Sequence, residues 1–291
     1  MYLSLINGQI KSLDETTIPA LDRGFLYGEQ VIETMLTCHG QVVRLDQHME
    51  RLFHSLAAVS ITPSITKQEL TQHCLKVSSF YPKGFGMIRV MITGGIGVGL
   101  TSKTKKNSQY YIFAWPVERP VSPPFSITLR SSIKHRSNLD HIKTGYYFPA
   151  ITACHQQEVS KEKGQDVLWV SASEEILETT TANIFFVLHS PNKKLAHQNS
   201  PNYELVTPGN HGQIFGGLTR KHLIELSKQH GIIVHEKKIY LSDLSQFSEC
   251  FITSSVQGLV PVVAINNHVF QNGKIGECFH SLRRYYETTL T

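Results

Sequence analysis

The sequence predicts a mixed α and β fold in two domains, and three observations carry that prediction. Short apolar runs of strand character alternate with stretches whose apolar residues recur at helical spacing. The stretch "VERPVSPPF" (117–125), with Pro120, Pro123 and Pro124, then breaks the pattern once, as neither a helix interior nor a central strand tolerates so many prolines. The steady strand–helix–strand rhythm of a doubly wound sheet is absent.

In chain order, "YLSLING" reads as a strand running into a turn, and "QVVRL" (41–45) as a strand after the turn at His39-Gly40. From Asp46, Met49, Leu52, Phe53, Leu56 and Val59 form the stripe of an amphipathic helix. "GMIRVMIT" (86–93) and "QYYIFAWPV" (109–117) read as buried strands, with the glycine-rich "TGGIGVGLTS" between them. The boundaries that follow are a first domain at 1–118, a proline-rich linker at 119–126 and a second domain at 127–291. In the second, strands are expected at 166–171, 183–188, 232–237 and 250–255, and helices at 148–160 and 219–230. No internal repeat or low-complexity tract occurs.

The 291 residues are 41% hydrophobic and 18% charged, ordinary for a folded protein and enough for a sizeable core. The net charge of +5 is scattered, with no long basic run and no aromatic-basic interleaving. A nucleic-acid partner is therefore not expected. "MYLSLINGQIKSLDE" has neither a basic start nor an unbroken apolar run, and no stretch approaches the roughly 18 apolar residues of a membrane span. Five widely spaced cysteines, Cys38, Cys74, Cys154, Cys250 and Cys278, suit reduced thiols in a cytoplasm. Fifteen histidines include no HxxxH or HExxH pair, so no metal site is expected.

Five features could carry chemistry, and each has a plainer structural reading. Lys143, in "HIKTGYYFPA", lies between a strand and a helix; a lysine held out of water is a nucleophile towards carbonyls, whereas one in a loop is ordinarily solvated. Glu178, in "EEILETTTANIFFV", opens a hydroxyl-rich turn, where a carboxylate can pair with a protonated ring nitrogen or simply cap the turn. "GGLTRKHLIEL" (216–226) enters a helix through two glycines and Thr219, a natural anion site that is also a common helix start. "TSSVQG" (253–258) offers a second hydroxyl-rich turn. Arg51, in "HMERL", can reach inwards or lie on the surface with its stem packed. Together, an amine, a carboxylate, an arginine and two phosphate-friendly turns make the inventory that holds a phosphorylated pyridine aldehyde.

These motifs, "HMERL", "IKTGYY", the E-x-x-x-x-N-I-F pattern of Glu178 to Phe185 and "GGLTR", resemble the class IV aminotransferase family in order and spacing. The resemblance runs from "LDRGFLYGEQVIET" to "TSSVQGLVPV", nearly the whole chain. It implies the two-domain α+β architecture of the fold type IV enzymes: a small N-terminal α/β domain and a larger C-terminal domain with a barrel-like sheet, the cofactor between them. It also implies pyridoxal 5'-phosphate, bonded covalently to Lys143, which is then buried and shuttles the substrate proton. Glu178 would pair with the pyridine nitrogen and Tyr147 would contact the ring hydroxyl. Arg51, Thr219 and Ser255, helped by the N–H groups of Leu218 and Ser254, would hold the phosphate. A cytoplasmic homodimer acting on small amino and 2-oxo acids is implied too.

The family contains branched-chain aminotransferases, D-amino acid aminotransferases and aminodeoxychorismate lyases, and the anchor motifs do not separate them. Tyr27 and Arg89 fall where the branched-chain enzymes keep a tyrosine and an arginine of the substrate pocket, and "GGIGVGL" resembles their loop. Against this, Leu36 stands where those enzymes have an arginine, and "DRGFLYGE" is closer to the other two branches. Arg89 also reads as a structural ion-pair partner. The Arg-x-His carboxylate trap of the D-amino acid enzymes is absent. The expectation is an aminotransferase of branched-chain type first, the lyase second and the D-amino acid enzyme third. A cofactor-binding relative without turnover is disfavoured by the intact Lys143 and Glu178.

Overall fold

A computed structural model describes residues 2–101, 107–118, 127–134, 137, 139–159, 166–189, 202–209 and 213–290. The chain forms two compact units: Met1–Arg119 with Ile142–Tyr146 and Thr291, and Pro120–His141 with Tyr147–Leu290. The proline-rich segment expected at 119–126 lies outside the described residues.

The first unit contains β1 (Leu3–Ile6), β2 (Gln9–Ser12), α1 (Arg23–Tyr27), β3 (Gln30–Cys38), β4 (Gln41–Val42), α2 (Leu45–Ala58), α3 (Lys67–Ser78), β5 (Phe85–Thr93) and β6 (Tyr110–Val117). Its sheet has the order β2-β1-β6-β5-β3-β4. Two tight turns set the hairpins, Asn7-Gly8 with φ of 44° and 88° and His39-Gly40 with 49° and 80°, the left-handed backbone such connections require. Val31 and Met35 of β3 share a face with Ile88, Val90 and Ile92 of β5, and that face packs against α2 and α3. Glu33 interrupts this otherwise apolar face.

Two expectations for this unit need correction. The strand expected at 41–45 ends at Val42, because Arg44 turns left-handed (φ 55°) and α2 starts at Leu45. The segment carrying Lys143, placed by sequence in 127–291, belongs to the first unit. Its backbone joins β3 where the short β4 does not reach: Val31 pairs with Thr144, and Ile32 N–H donates to the Lys143 carbonyl at 2.8 Å. Strand β3 and helix α3 were not foreseen. Polar Glu33, Thr34 and Thr37 blur the strand pattern of β3, while α3 carried a legible start signal in its Thr66–Glu69 capping box.

The second unit contains β7 (Ile127–Ile133), α4 (Phe148–Val159), β8 (Asp166–Val170), β9 (Ile176–Thr179), β10 (Asn183–His189), β11 (Tyr203–Pro208), α5 (Leu218–Gln229), β12 (Val234–Lys237), β13 (Glu249–Ser254), β14 (Gly258–Ile265), β15 (His268–Val269) and α6 (Glu277–Glu287). Its nine-stranded sheet runs β12-β11-β10-β13-β14-β7-β8-β9, with β15 on β14. A tight turn, Thr179 N–H to the Ala182 carbonyl at 2.8 Å, brings β9 back beside β10, so the strands from β10 round to β9 curl upon themselves. This is the barrel-like sheet anticipated, filled by Leu168, Ile184, Phe186, Ile252 and Val262. The expected helices appear as α4 and α5, and α5 packs on β13. None of the helices among the described residues is long and apolar enough to cross a membrane.

Candidate active site

In the first unit His48 and Arg51 converge on Glu33. Its carboxylate is 1% exposed and accepts from Arg51 Nε at 2.7 Å, Arg51 Nη2 at 2.8 Å and His48 Nδ1 at 2.7 Å. The α2 sequence explains the convergence: positions 48 and 51 are one helical turn apart and so share a face, here the one turned to the sheet. Burial would raise the Glu33 carboxyl, but the hydrogen bonds and charges of His48 and Arg51 outweigh it and hold the group at about 2. His48 is held below the ordinary imidazole value, chiefly by burial, with the charges of Arg51 and Lys143 adding to the effect and Glu33 opposing it. Lys143 thus lies within electrostatic reach of this cluster. Lys143 is half-buried, and backbone bonds to β3 help to fix its segment.

Arg89 and Tyr27 belong to the first unit but not to this cluster. Arg89 stands opposite Thr34 on the neighbouring strand, and its Nε reaches Thr34 Oγ1 at 3.4 Å. Neighbours along a strand alternate between faces, so Arg89 and Thr34 lie on the face opposite Glu33. Tyr27, which is 42% exposed, uses its hydroxyl to accept the Gly99 N–H at 2.9 Å. Arg23 lies over the Tyr27 ring, 5.2 Å from its centroid, and donates to the Gly99 carbonyl at 2.6 Å. The turn of "DRGFLYGE" and the glycine loop are therefore tied together by one arginine and one tyrosine. Among the described residues no three or more His, Cys, Asp or Glu side chains gather as a metal site.

The second unit presents a different set. Glu178, on β9 and 8% exposed, accepts from Lys134 Nζ at 2.9 Å on one oxygen; on the other it accepts from Phe215 N–H at 2.9 Å and Asn183 Nδ2 at 3.5 Å. Burial raises its carboxyl above the ordinary carboxylate value, and Lys134 and the Phe215 N–H only partly offset this. Asn183 also donates to the Phe215 carbonyl at 2.9 Å, fixing the approach to α5. Gly217 precedes that helix, and a Cβ there would run into Asn183 Oδ1, so the close approach requires glycine.

Leu218 and Thr219 form the first turn of α5, which has no side-chain cap. Thr219 is 2% exposed, and its hydroxyl finds no hydrogen-bond partner among the described residues. Thr253, the cross-strand neighbour of Asn183, also buries a hydroxyl without a partner. Ser254 ends β13, Ser255 begins the turn that follows, and Tyr147 immediately precedes α4. Buried polar groups are normally satisfied, so an uncapped helix start beside two orphan hydroxyls fits an anion with several acceptor oxygens. Sequence reasoning overlooked Glu33, His48, Lys134 and Thr253. His48 lay within a quoted motif and Thr253 within a quoted turn; Lys134 had no signal.

A family model described as amino-transferase class IV matches residues 30–265. A Methanocaldococcus jannaschii protein provisionally named branched-chain-amino-acid aminotransferase is 26% identical, over 98% of this chain and 96% of its own. The D-alanine aminotransferase of Bacillus licheniformis is 25% identical over 94% and 91%, and the aminodeoxychorismate lyase of Bacillus subtilis 23% over 97% and 92%. Among solved structures, the branched-chain amino acid aminotransferase from Escherichia coli shares the fold. Its TM-score is 0.83 at 20% identity, covering 99% of this chain and 94% of that one. With the match spanning most of its length, this chain belongs to the class IV aminotransferase family.

Proposed function

We propose that this protein is a pyridoxal-phosphate-dependent aminotransferase that moves an amino group from a branched-chain amino acid to a 2-oxo acid. The observation that carries the cofactor reading is the Thr219 hydroxyl, a buried donor at an uncapped helix start with no acceptor among the described residues. A phosphate oxygen supplies that acceptor. When bound, pyridoxal phosphate supplies an electron-withdrawing ring that stabilises the electron pair left on the substrate Cα.

Each residue then has a task. Lys143 Nζ would hold the cofactor at its carbonyl carbon, and its freed amine would take the Cα proton of the substrate and pass it on rather than return it to Cα. Glu178 accepts the pyridinium N–H and Tyr147 contacts the ring hydroxyl. Thr219 and Ser255, with the N–H groups of Leu218 and Ser254, bind the phosphate. Arg51, oriented by Glu33, is a further phosphate ligand, and Arg89 and Tyr27 contact the substrate. The same reading has the protein act as a cytoplasmic homodimer on small molecules.

The aminodeoxychorismate lyase is the second reading, favoured by Leu36. That side chain is 1% exposed and offers no charge where the branched-chain enzymes carry an arginine. The deciding experiment incubates purified protein with branched-chain amino acids or D-alanine plus 2-oxoglutarate, and separately with aminodeoxychorismate. Glutamate formed with a branched-chain 2-oxo acid supports the proposal. Release of 4-aminobenzoate without any transamination overturns it in favour of the lyase.

A further inference from the structure

Lys134 has no part in the roles assigned above, yet it is the only cation bonded to Glu178 among the described residues. Its Nζ lies 2.9 Å from Glu178 Oε1, 3.4 Å from Asp140 Oδ1 and 3.3 Å from the Gln213 carbonyl. Its ammonium donates hydrogen bonds to Glu178 and the Gln213 carbonyl, and Asp140 adds an ion pair. The lysine side chain is 17% exposed and the two carboxylates 11% each, so the cluster is mostly out of water.

We propose that Lys134 is a positioning residue that keeps Glu178 ionised and aimed, so that its second oxygen can engage a protonated ring nitrogen. This rests on the cofactor reading above. The charged groups facing Glu178 are Lys134 and Asp140. Asp140 works against ionisation, and the Phe215 N–H and Asn183 amide on the other oxygen are neutral donors. Without the ammonium, a carboxyl this buried beside a second carboxylate would hold its proton to higher pH, and a neutral acid pairs poorly with a pyridinium. Asp140 also stands three positions before Lys143 in sequence. The same ammonium therefore ties Glu178 to the strap that leads into the lysine segment.

Two variants separate charge from hydrogen bonding: Lys134→Gln keeps a donor and loses the charge, whereas Lys134→Arg keeps the charge. The first readout needs no cofactor. In apo protein with 13C-labelled glutamate, the Glu178 carboxyl, assigned by its loss in Glu178→Gln, should titrate at higher pH in Lys134→Gln than in wild type, and Lys134→Arg should restore it. The second is the pH dependence of pyridoxal phosphate binding followed by absorbance. Lys134→Gln should bind roughly tenfold or more weakly at neutral pH and lose affinity with a shifted profile. Unchanged titration and binding in Lys134→Gln would overturn the proposal. Failure of wild-type protein to take up pyridoxal phosphate would instead sink the cofactor reading itself.

Discussion

Glu33 and Arg51 meet through two parallel hydrogen bonds, Nε to Oε1 at 2.7 Å and Nη2 to Oε2 at 2.8 Å, while His48 closes on the same carboxylate. This bidentate pairing fixes the plane of the guanidinium and ties α2 to the centre of β3. It fixes Arg51 in place, and it makes Glu33 a group whose ionisation is linked to folding.

Stability should therefore fall in acid. The Glu33 carboxyl is lowered from 4.5 to about 2 by folding, so its contribution is fully present above the unfolded value and is lost as pH drops through about 2. It amounts to about 3 kcal/mol at neutral pH. Chemical denaturation followed from pH 6 to 2 should show this loss in wild type. In Glu33→Gln the baseline should be lower by ~2 kcal/mol and the acid slope shallower. Parallel acid profiles for the two proteins would show that Glu33 is not the linked group.

Thr219→Val should separate stability from ligand retention. The variant removes a buried hydroxyl that has no partner, so the apo protein should be unchanged or slightly more stable, by up to about 1 kcal/mol. Pyridoxal phosphate, measured by equilibrium dialysis, should bind roughly tenfold more weakly. Equal retention in both proteins removes Thr219 from the phosphate site.

Borohydride reduction of protein loaded with pyridoxal phosphate should leave a stable adduct on the peptide containing Lys143. The Lys143→Ala variant should carry none and still fold, because backbone bonds to β3 help to hold the segment. Peptide mass spectrometry decides the matter, and an adduct on another lysine rejects the assignment.

Arg89→Ala should raise KM for the acid substrate, leaving kcat and pyridoxal phosphate binding near wild type, as expected when uniform substrate binding is lost. Its contact with Thr34 is long, so loss of stability should stay below about 1 kcal/mol. Steady-state kinetics with an unchanged KM would return Arg89 to a structural role. The matching measurement for Arg51→Ala is cofactor retention, which should fall.

Much of the framework was legible because it rests on local chemistry. The helix stripe of Met49, Leu52 and Leu56, the turns at Asn7-Gly8 and His39-Gly40, and the strand at Asn183–His189 follow from spacing and from residues that accept positive φ. The order of motifs around Arg51, Lys143, Glu178 and Thr219 points to the family by itself. These features depend on residues close together in the chain, where sequence is informative.

What the sequence alone determined, then, was the mixed architecture, the family and the short list of residues able to do the chemistry. Tertiary structure decided which of them have partners. It joined Lys143 to β3 across more than a hundred residues, put Glu33 against Arg51 and His48, and brought Lys134 to Glu178. The physical reason is that the state of a charge depends on its burial and on neighbours distant in the chain. Spacing along a sequence records neither.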